Sequence, residues 1–195
     1  MRKVTRISPR VSFLAAVVLG TILPLTATAS DLGYTYAEAR YLDIDSADKG
    51  AADGATAIGW YRVNENMFAI GQVVMTEADN GAEATTGAIG AGFIMPLHAR
   101  WDAVAIGTWR RTDVDGVARD FSKNGYGAQL GLRGMPIDKV EARAFVNYVD
   151  VLDDDTSLFV SGDYFFSPVL AAGIAAEFGG NADTISFGVR YSFGL

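Results

Sequence analysis

The stretch Ile185-Ser186-Phe187-Gly188-Val189-Arg190-Tyr191-Ser192-Phe193 places a large apolar residue at every second position, with a small or charged one between. A period of two is that of a β-strand with two unlike faces. In a soluble sheet the apolar face would pack on a second layer. No long segment of this chain carries helical periodicity, and its 22 glycines lower helix propensity further. The other solution is a strand whose apolar side meets lipid and whose polar side meets the inside of a closed barrel.

Segments of alternating or small-and-apolar character recur near 33–42, 55–63, 67–76, 85–95, 100–111, 122–134, 138–149, 156–166, 169–178 and 184–193. The expected fold is all-β: a closed antiparallel up-and-down transmembrane β-barrel of ten strands, with eight as the alternative. Pro96, Pro136 and Pro168 are expected at turns, where a missing N–H does no harm. The connections at 64–66, 96–99, 135–137 and 167–168 read as tight. Those at 43–54, 77–84, 112–121, 150–155 and 179–183 read as mostly longer and more acidic. Short turns at one end and longer polar loops at the other suit a barrel with periplasmic turns, and an even strand number puts both termini at that end.

Residues 1–29 read as a secretory signal peptide, and 30–195 as the barrel domain. Arg2, Lys3, Arg6 and Arg10 form the basic region, Phe13 to Leu23 the apolar region, and Ala27-Thr28-Ala29 the cleavage site. The apolar run falls short of the about 20 residues a membrane helix needs. The whole chain carries −7; without the four signal-peptide bases, 12 bases face 23 acids, a charge of −11. That balance argues against nucleic acid as a partner. Cysteine is absent, which leaves neither a disulfide framework nor a thiolate site.

The alternation assigns faces. Tyr126, Ala128, Leu130 and Leu132 point outward, against Gly127, Gln129, Gly131 and Arg133 inward. Val140, Ala142, Ala144, Val146 and Tyr148 point outward, against Glu141, Arg143, Phe145 and Asn147 inward. Leu158, Val160, Tyr164 and Phe166 are outward, with Ser161 and Asp163 inward. The segments 55–63 and 67–76 stay ambiguous, because Ile58, Trp60, Phe68 and Ile70 fall on the inner face. Aromatics form two expected girdles. Tyr61, Phe93, Trp101, Phe166 and Phe193 lie near the periplasmic rim, and Tyr41, Trp109, Tyr126, Tyr148 and Phe178 near the outer rim. Trp101 and Trp109 share a face roughly 27 Å apart along a tilted strand, close to the ~25 Å apolar band of such barrels. A soluble β-sandwich with an aromatic core is the competing reading.

The inward face carries charges of both signs. Glu38, Arg40, Arg110, Arg133, Glu141, Arg143, Asp163, Glu177 and Arg190 are the candidate lumen charge network, with Asp102 and Arg62 on the same face. Charges in a narrow barrel are costly unless paired or hydrated. Interlocking salt bridges that plug the lumen are therefore expected; a polar pore lining is the alternative. Arg133 should meet Glu141 across the Pro136 turn, and Arg190 should approach Glu38 where the first and last strands close the barrel.

Enzymatic chemistry has little to stand on. The single histidine, His98, falls in a predicted turn, and no histidine–cysteine metal cluster exists. The run Gly87-Ala88-Ile89-Gly90-Ala91-Gly92 lacks the helix that a dinucleotide fingerprint requires after it. Asp43-x-Asp45-x-x-Asp48 and Asp153-Asp154-Asp155 lack the calcium-loop spacing and read as solvated acidic faces, with divalent cations bridging them to lipopolysaccharide phosphates as the functional alternative. No cofactor and no metal site are expected.

The terminal aromatic-x-aromatic, with Val189, Tyr191 and Phe193 on one face, resembles the C-terminal recognition signal of bacterial outer-membrane barrels, although Gly194-Leu195 follow it. Tyr34-Thr35-Tyr36-Ala37-Glu38-Ala39-Arg40-Tyr41, with Gly59-Trp60-Tyr61 and Asn66-Met67-Phe68, resembles the OmpA-like and OmpX-like barrel domains of Gram-negative bacteria. That resemblance implies residence in the cell outer membrane, contact with its lipid and lipopolysaccharide, delivery by periplasmic chaperones and insertion by the barrel-assembly machinery. It implies a non-enzymatic barrel with a structural or surface-interaction role; a narrow porin-like channel for small solutes is the alternative.

Overall fold

The computed structural model describes residues 32–46, 50–116, 120–152, 154–180 and 182–193. The signal-peptide segment, Asp48, Asp153 and the Gly194-Leu195 end lie outside the described residues. Ten antiparallel strands follow in chain order: β1 (Tyr36–Ser46), β2 (Gly50–Arg62), β3 (Met67–Ala78), β4 (Glu83–His98), β5 (Trp101–Asp115), β6 (Phe121–Ile137), β7 (Val140–Asp150), β8 (Asp154–Phe165), β9 (Leu170–Gly179) and β10 (Asp183–Ser192). Each pairs with its chain neighbours, and β1 also pairs with β10, so the sheet closes into an up-and-down barrel with no free edge.

The strands run further than the sequence pattern indicates. Of the acidic stretches expected as long loops, 43–54 is strand throughout its described residues, and about half of 77–84 and of 112–121 belongs to the flanking strands. The ladder satisfies their backbone groups, and their carboxylates stand in register on the outer side: Asp43 opposite Asp53, Asp53 opposite Glu77, Glu77 opposite Glu83, and Glu83 opposite Asp115. Acidic composition suits a loop, but an exposed strand face tolerates it as well.

Two prolines also depart from expectation. Pro96 lies inside β4 and Pro136 inside β6, not in turns. Each sits where the register slips, between Pro96 and His98 and between Gly134 and Ile137. An irregularity of this kind spares the ladder the hydrogen bond that proline cannot donate. The turns proper come later, at 99–100 and 138–139, where Lys139 takes φ 65°. The β9–β10 hairpin uses Gly179 and Gly180 at φ 96° and 69°, a region where side-chain-bearing residues are disfavoured.

The inward and outward faces assigned above for β6, β7 and β8 hold. Glu141, Arg143, Phe145 and Asn147 are buried while Ala144, Val146 and Tyr148 are exposed on the alternate face. The core is the lumen itself rather than a space between layers. Ile58, Trp60, Phe68 and Ile70, ambiguous in the sequence, all point inward and pack with Tyr34, Tyr36, Ile94 and Val104.

Candidate functional site in the lumen

The site begins with the strand period. On β1, β2, β3, β4, β5 and β10 the even-numbered residues face inward, and on β6 to β9 the odd-numbered ones do. Near the end of the barrel where β1 begins and β10 finishes, this rule fills the lumen with two kinds of side chain.

Along β1 to β5 the filling is aromatic and aliphatic. Trp60 stacks on Phe68 with ring centroids 4.2 Å apart, and on Tyr36 at 5.3 Å. Tyr34, on the extension of β1, lies 5.4 Å from Phe68 and donates its hydroxyl to Asp102 at 2.8 Å. Charge comes from β1 itself, from its neighbour β10, and from β6, β7 and β8. Arg190 donates to Glu38 and to Glu141, each at 2.8 Å, and to Asp163 at 3.1 Å. Arg143 reaches Asp163 at 2.8 Å and Glu38 at 3.2 Å. Arg40 bonds to Asp163 at 2.7 Å and also to Glu38. Arg133 donates to Glu141 at 2.8 Å and to the Gly33 carbonyl at 2.7 Å. These seven side chains are buried, and they connect β1 and β10 to β6, β7 and β8 on the far wall.

Two guanidinium groups join the halves. Arg133 lies 4.2 Å from the Tyr34 ring centroid and Arg190 lies 4.4 Å from that of Tyr36. Such cation–π contacts place charge against an aromatic face while keeping the N–H edge free for carboxylates. The two pairs expected from the sequence, Arg133 with Glu141 and Arg190 with Glu38, are both present.

Arg110 and Glu177 face the lumen but stand outside this connected network, which corrects the grouping read from the sequence. Arg110 bonds to Thr108 on its own strand at 3.2 Å. Glu177 accepts from Asn147 at 2.8 Å and from the Ser157 hydroxyl. Both lie toward the outer end, on β5 and β9, and neither bonds to any of the seven side chains of the network. Arg62 is exposed at the lower rim and donates to the Glu65 carbonyl at 3.2 Å. The sequence reading missed the part played by Tyr34, Tyr36, Trp60 and Phe68. Their even numbering on the inner face was the available signal.

Space for the network comes from small residues on β9. A Cβ on Gly173 would run into the Asp163 carboxylate and lie 2.8 Å from the Asp163 Cα, whereas a Cβ on Gly162 meets open space. Gly173→Ala should therefore cost about 1–3 kcal/mol through overpacking, and Gly162→Ala less than about 0.5 kcal/mol. Urea-unfolding midpoints of the two refolded variants check this contrast.

The remaining predicted residues lie on the outside. Tyr61, Phe93, Phe166, Trp109, Tyr126, Tyr148 and Phe178 are exposed there, and Trp101, Phe193 and Tyr41 half-exposed. Trp109 is paired with Tyr126 near the outer end, and Phe93 with Met67 near the other. Val189 and Tyr191 sit on the outward face of β10. His98 ends β4 opposite Trp101, and the Gly87–Gly92 run is a strand interior with no helix after it.

Even strand number, up-and-down order, an apolar exterior and a charged interior define the class, a small β-barrel of the outer-membrane type. No protein-family model matches the chain, and no curated protein matches it. Solved structures of similar outline include the KdgM porin in complex with disordered oligogalacturonate (10% identity, 82% of this chain and 99% of that one, TM-score 0.47). Others are Neisserial surface protein A (15% identity, 82% and 96%, TM-score 0.42) and the attachment invasion locus protein Ail of Yersinia pestis (12% identity, 83% and 99%, TM-score 0.43). At identities of 15% or less and TM-scores of 0.47 or less, none of them bears on what this chain does.

Proposed function

We propose that the protein is a non-enzymatic outer-membrane barrel whose lumen is plugged by its own side chains, and that it serves a structural or surface-interaction role. The observation that carries the plug is Arg190. It is 1% exposed and bonds simultaneously to carboxylates on β1, β7 and β8, so the charges lie across the lumen instead of lining it. An aqueous pore would leave such groups hydrated on the wall. The stacked Tyr34, Trp60 and Phe68 fill the remaining section beside them.

Membrane residence is supported by the exterior. Leu130, Ile89 and Tyr126 are each more than 60% exposed and belong to an apolar band around the barrel. A soluble monomer rarely leaves a continuous apolar surface of that extent in water. On this reading residues 1–29 direct export and are cleaved, periplasmic chaperones deliver the chain, and the barrel-assembly machinery recognises Val189, Tyr191 and Phe193. Outer-membrane lipid surrounds the wall, and lipopolysaccharide meets the acidic outer rim.

Planar-bilayer recording of the refolded protein tests the plug. The expected trace is closed, with openings appearing once Arg143 and Arg190 are both replaced by alanine. Steady open-channel steps from the unaltered protein would establish the porin-like alternative instead.

A further inference from the structure

The network closes only the lower half of the lumen. Above it lies a cavity of about 290 Å³ that extends from Glu38, Arg40, Arg143 and Trp60 up to half-exposed Ile44, Val149 and Thr184. That volume falls near the lower bound for small-molecule pockets. One part of its wall is apolar, formed by Ile58, Ile70, Phe145 and Phe159. Polar groups converge on the rest, among them Arg110, Gln129 and Asn147.

The charge balance of this cavity has a sign. The network below it holds four guanidinium groups, Arg40, Arg133, Arg143 and Arg190, against three carboxylates, Glu38, Glu141 and Asp163. Arg133 has two buried nitrogens without a hydrogen-bond partner, but its guanidinium lies over aromatic rings. Arg40 has no such contact among the described residues. Its Nη1 lacks a hydrogen-bond partner although the residue is only 4% exposed and lines the cavity floor. Higher up, Arg110 has no carboxylate within ion-pair distance among the described residues, while Glu177 already accepts two hydrogen bonds. Unmet donors at a buried, positively charged floor call for an anion. One unmatched acceptor, Asn147 Oδ1, lies on β7 and suits a hydroxyl or a water molecule, not a second negative charge.

We infer that the outer half of the lumen is a binding pocket for a small amphipathic carboxylate, its acid group held by Arg40 and Arg110 and its apolar body on the Ile58–Ile70–Phe145–Phe159 wall. The pocket is blind at its floor only if the plug described above holds, so the inference rests on that reading for its shape but not for its chemistry.

Equilibrium dialysis of detergent-solubilised protein against phenylacetate tests it, with phenethylamine as the cation carrying the same ring and empty micelles as the blank. Saturable binding of phenylacetate and none of phenethylamine is the expected result. Arg110→Gln, which leaves the seven-residue network intact, should weaken binding about tenfold. Ser186→Phe, which fills the cavity without removing a charge, should abolish it. Equal binding of both probes, retention by both variants, or no saturable binding at millimolar phenylacetate would overturn the pocket. Bilayer recording of the same preparation separates the two readings. Open-channel steps with specific binding sink the plug alone, and a closed trace without binding sinks the pocket alone.

Discussion

Glu38→Gln is expected to destabilise the folded barrel by about 3–5 kcal/mol, the cost of removing one partner from a buried ion cluster. Glu38 accepts from Arg40, Arg143 and Arg190, and its loss leaves four buried guanidinium groups sharing two carboxylates. The amide keeps the shape of the acid, so the effect reads the charge and not a cavity. Arg190→Gln should cost clearly less, although Arg190 bonds to three carboxylates, because it leaves three bases on three acids. The double variant should be milder than the sum of the two, as expected for residues in one network. Urea unfolding of each variant in phospholipid vesicles, followed by tryptophan fluorescence, gives these differences. If Glu38→Gln changed stability by less than about 0.5 kcal/mol, the typical effect of a surface substitution, the lumen would be well hydrated and the plug lost with it.

How much of this was legible in the sequence depends on which physical rule each residue obeys. A strand period of two needs only near neighbours, so the outward face of β7 and the inward Glu141, Arg143 and Asp163 could be read directly. The Arg190–Glu38 pair was legible because closure of a barrel forces the first and last strands together, and their register sets the two residues opposite each other. What failed was anything set by non-local filling. Trp60 and Phe68 look misplaced in sequence, since an inward aromatic makes sense only with Tyr34 packed beside it and Arg133 facing it. Arg110 and Glu177 share the inner face with the network, but height along the axis separates them, and parity carries no height. Pro96 and Pro136 point to turns when one strand is read alone, because a ladder irregularity exists only between paired strands.

Leu130→Arg should destabilise the barrel by about 2–4 kcal/mol, the cost of placing arginine at the lipid-facing midplane of a membrane barrel. Leu130 sits near the middle of the outer wall, paired with Ala105 and Val146, and is 64% exposed. In water an exposed leucine on a strand could be exchanged for arginine at a cost within about 0.5 kcal/mol, so the size of the loss identifies the solvent. Tyr126→Arg provides the depth control. Tyr126 is on the same face of the same strand, four residues away toward the outer rim, and is 67% exposed, so little protein packing is lost with it. Its expected cost falls to about 0–1 kcal/mol, as at the membrane interface. Both are measured by reversible unfolding from vesicles. A depth-dependent difference is what hydrocarbon around the middle of the wall requires. Equal small costs at both positions would mean that water bathes the whole exterior, and the unaltered protein should then stay folded and monomeric without detergent.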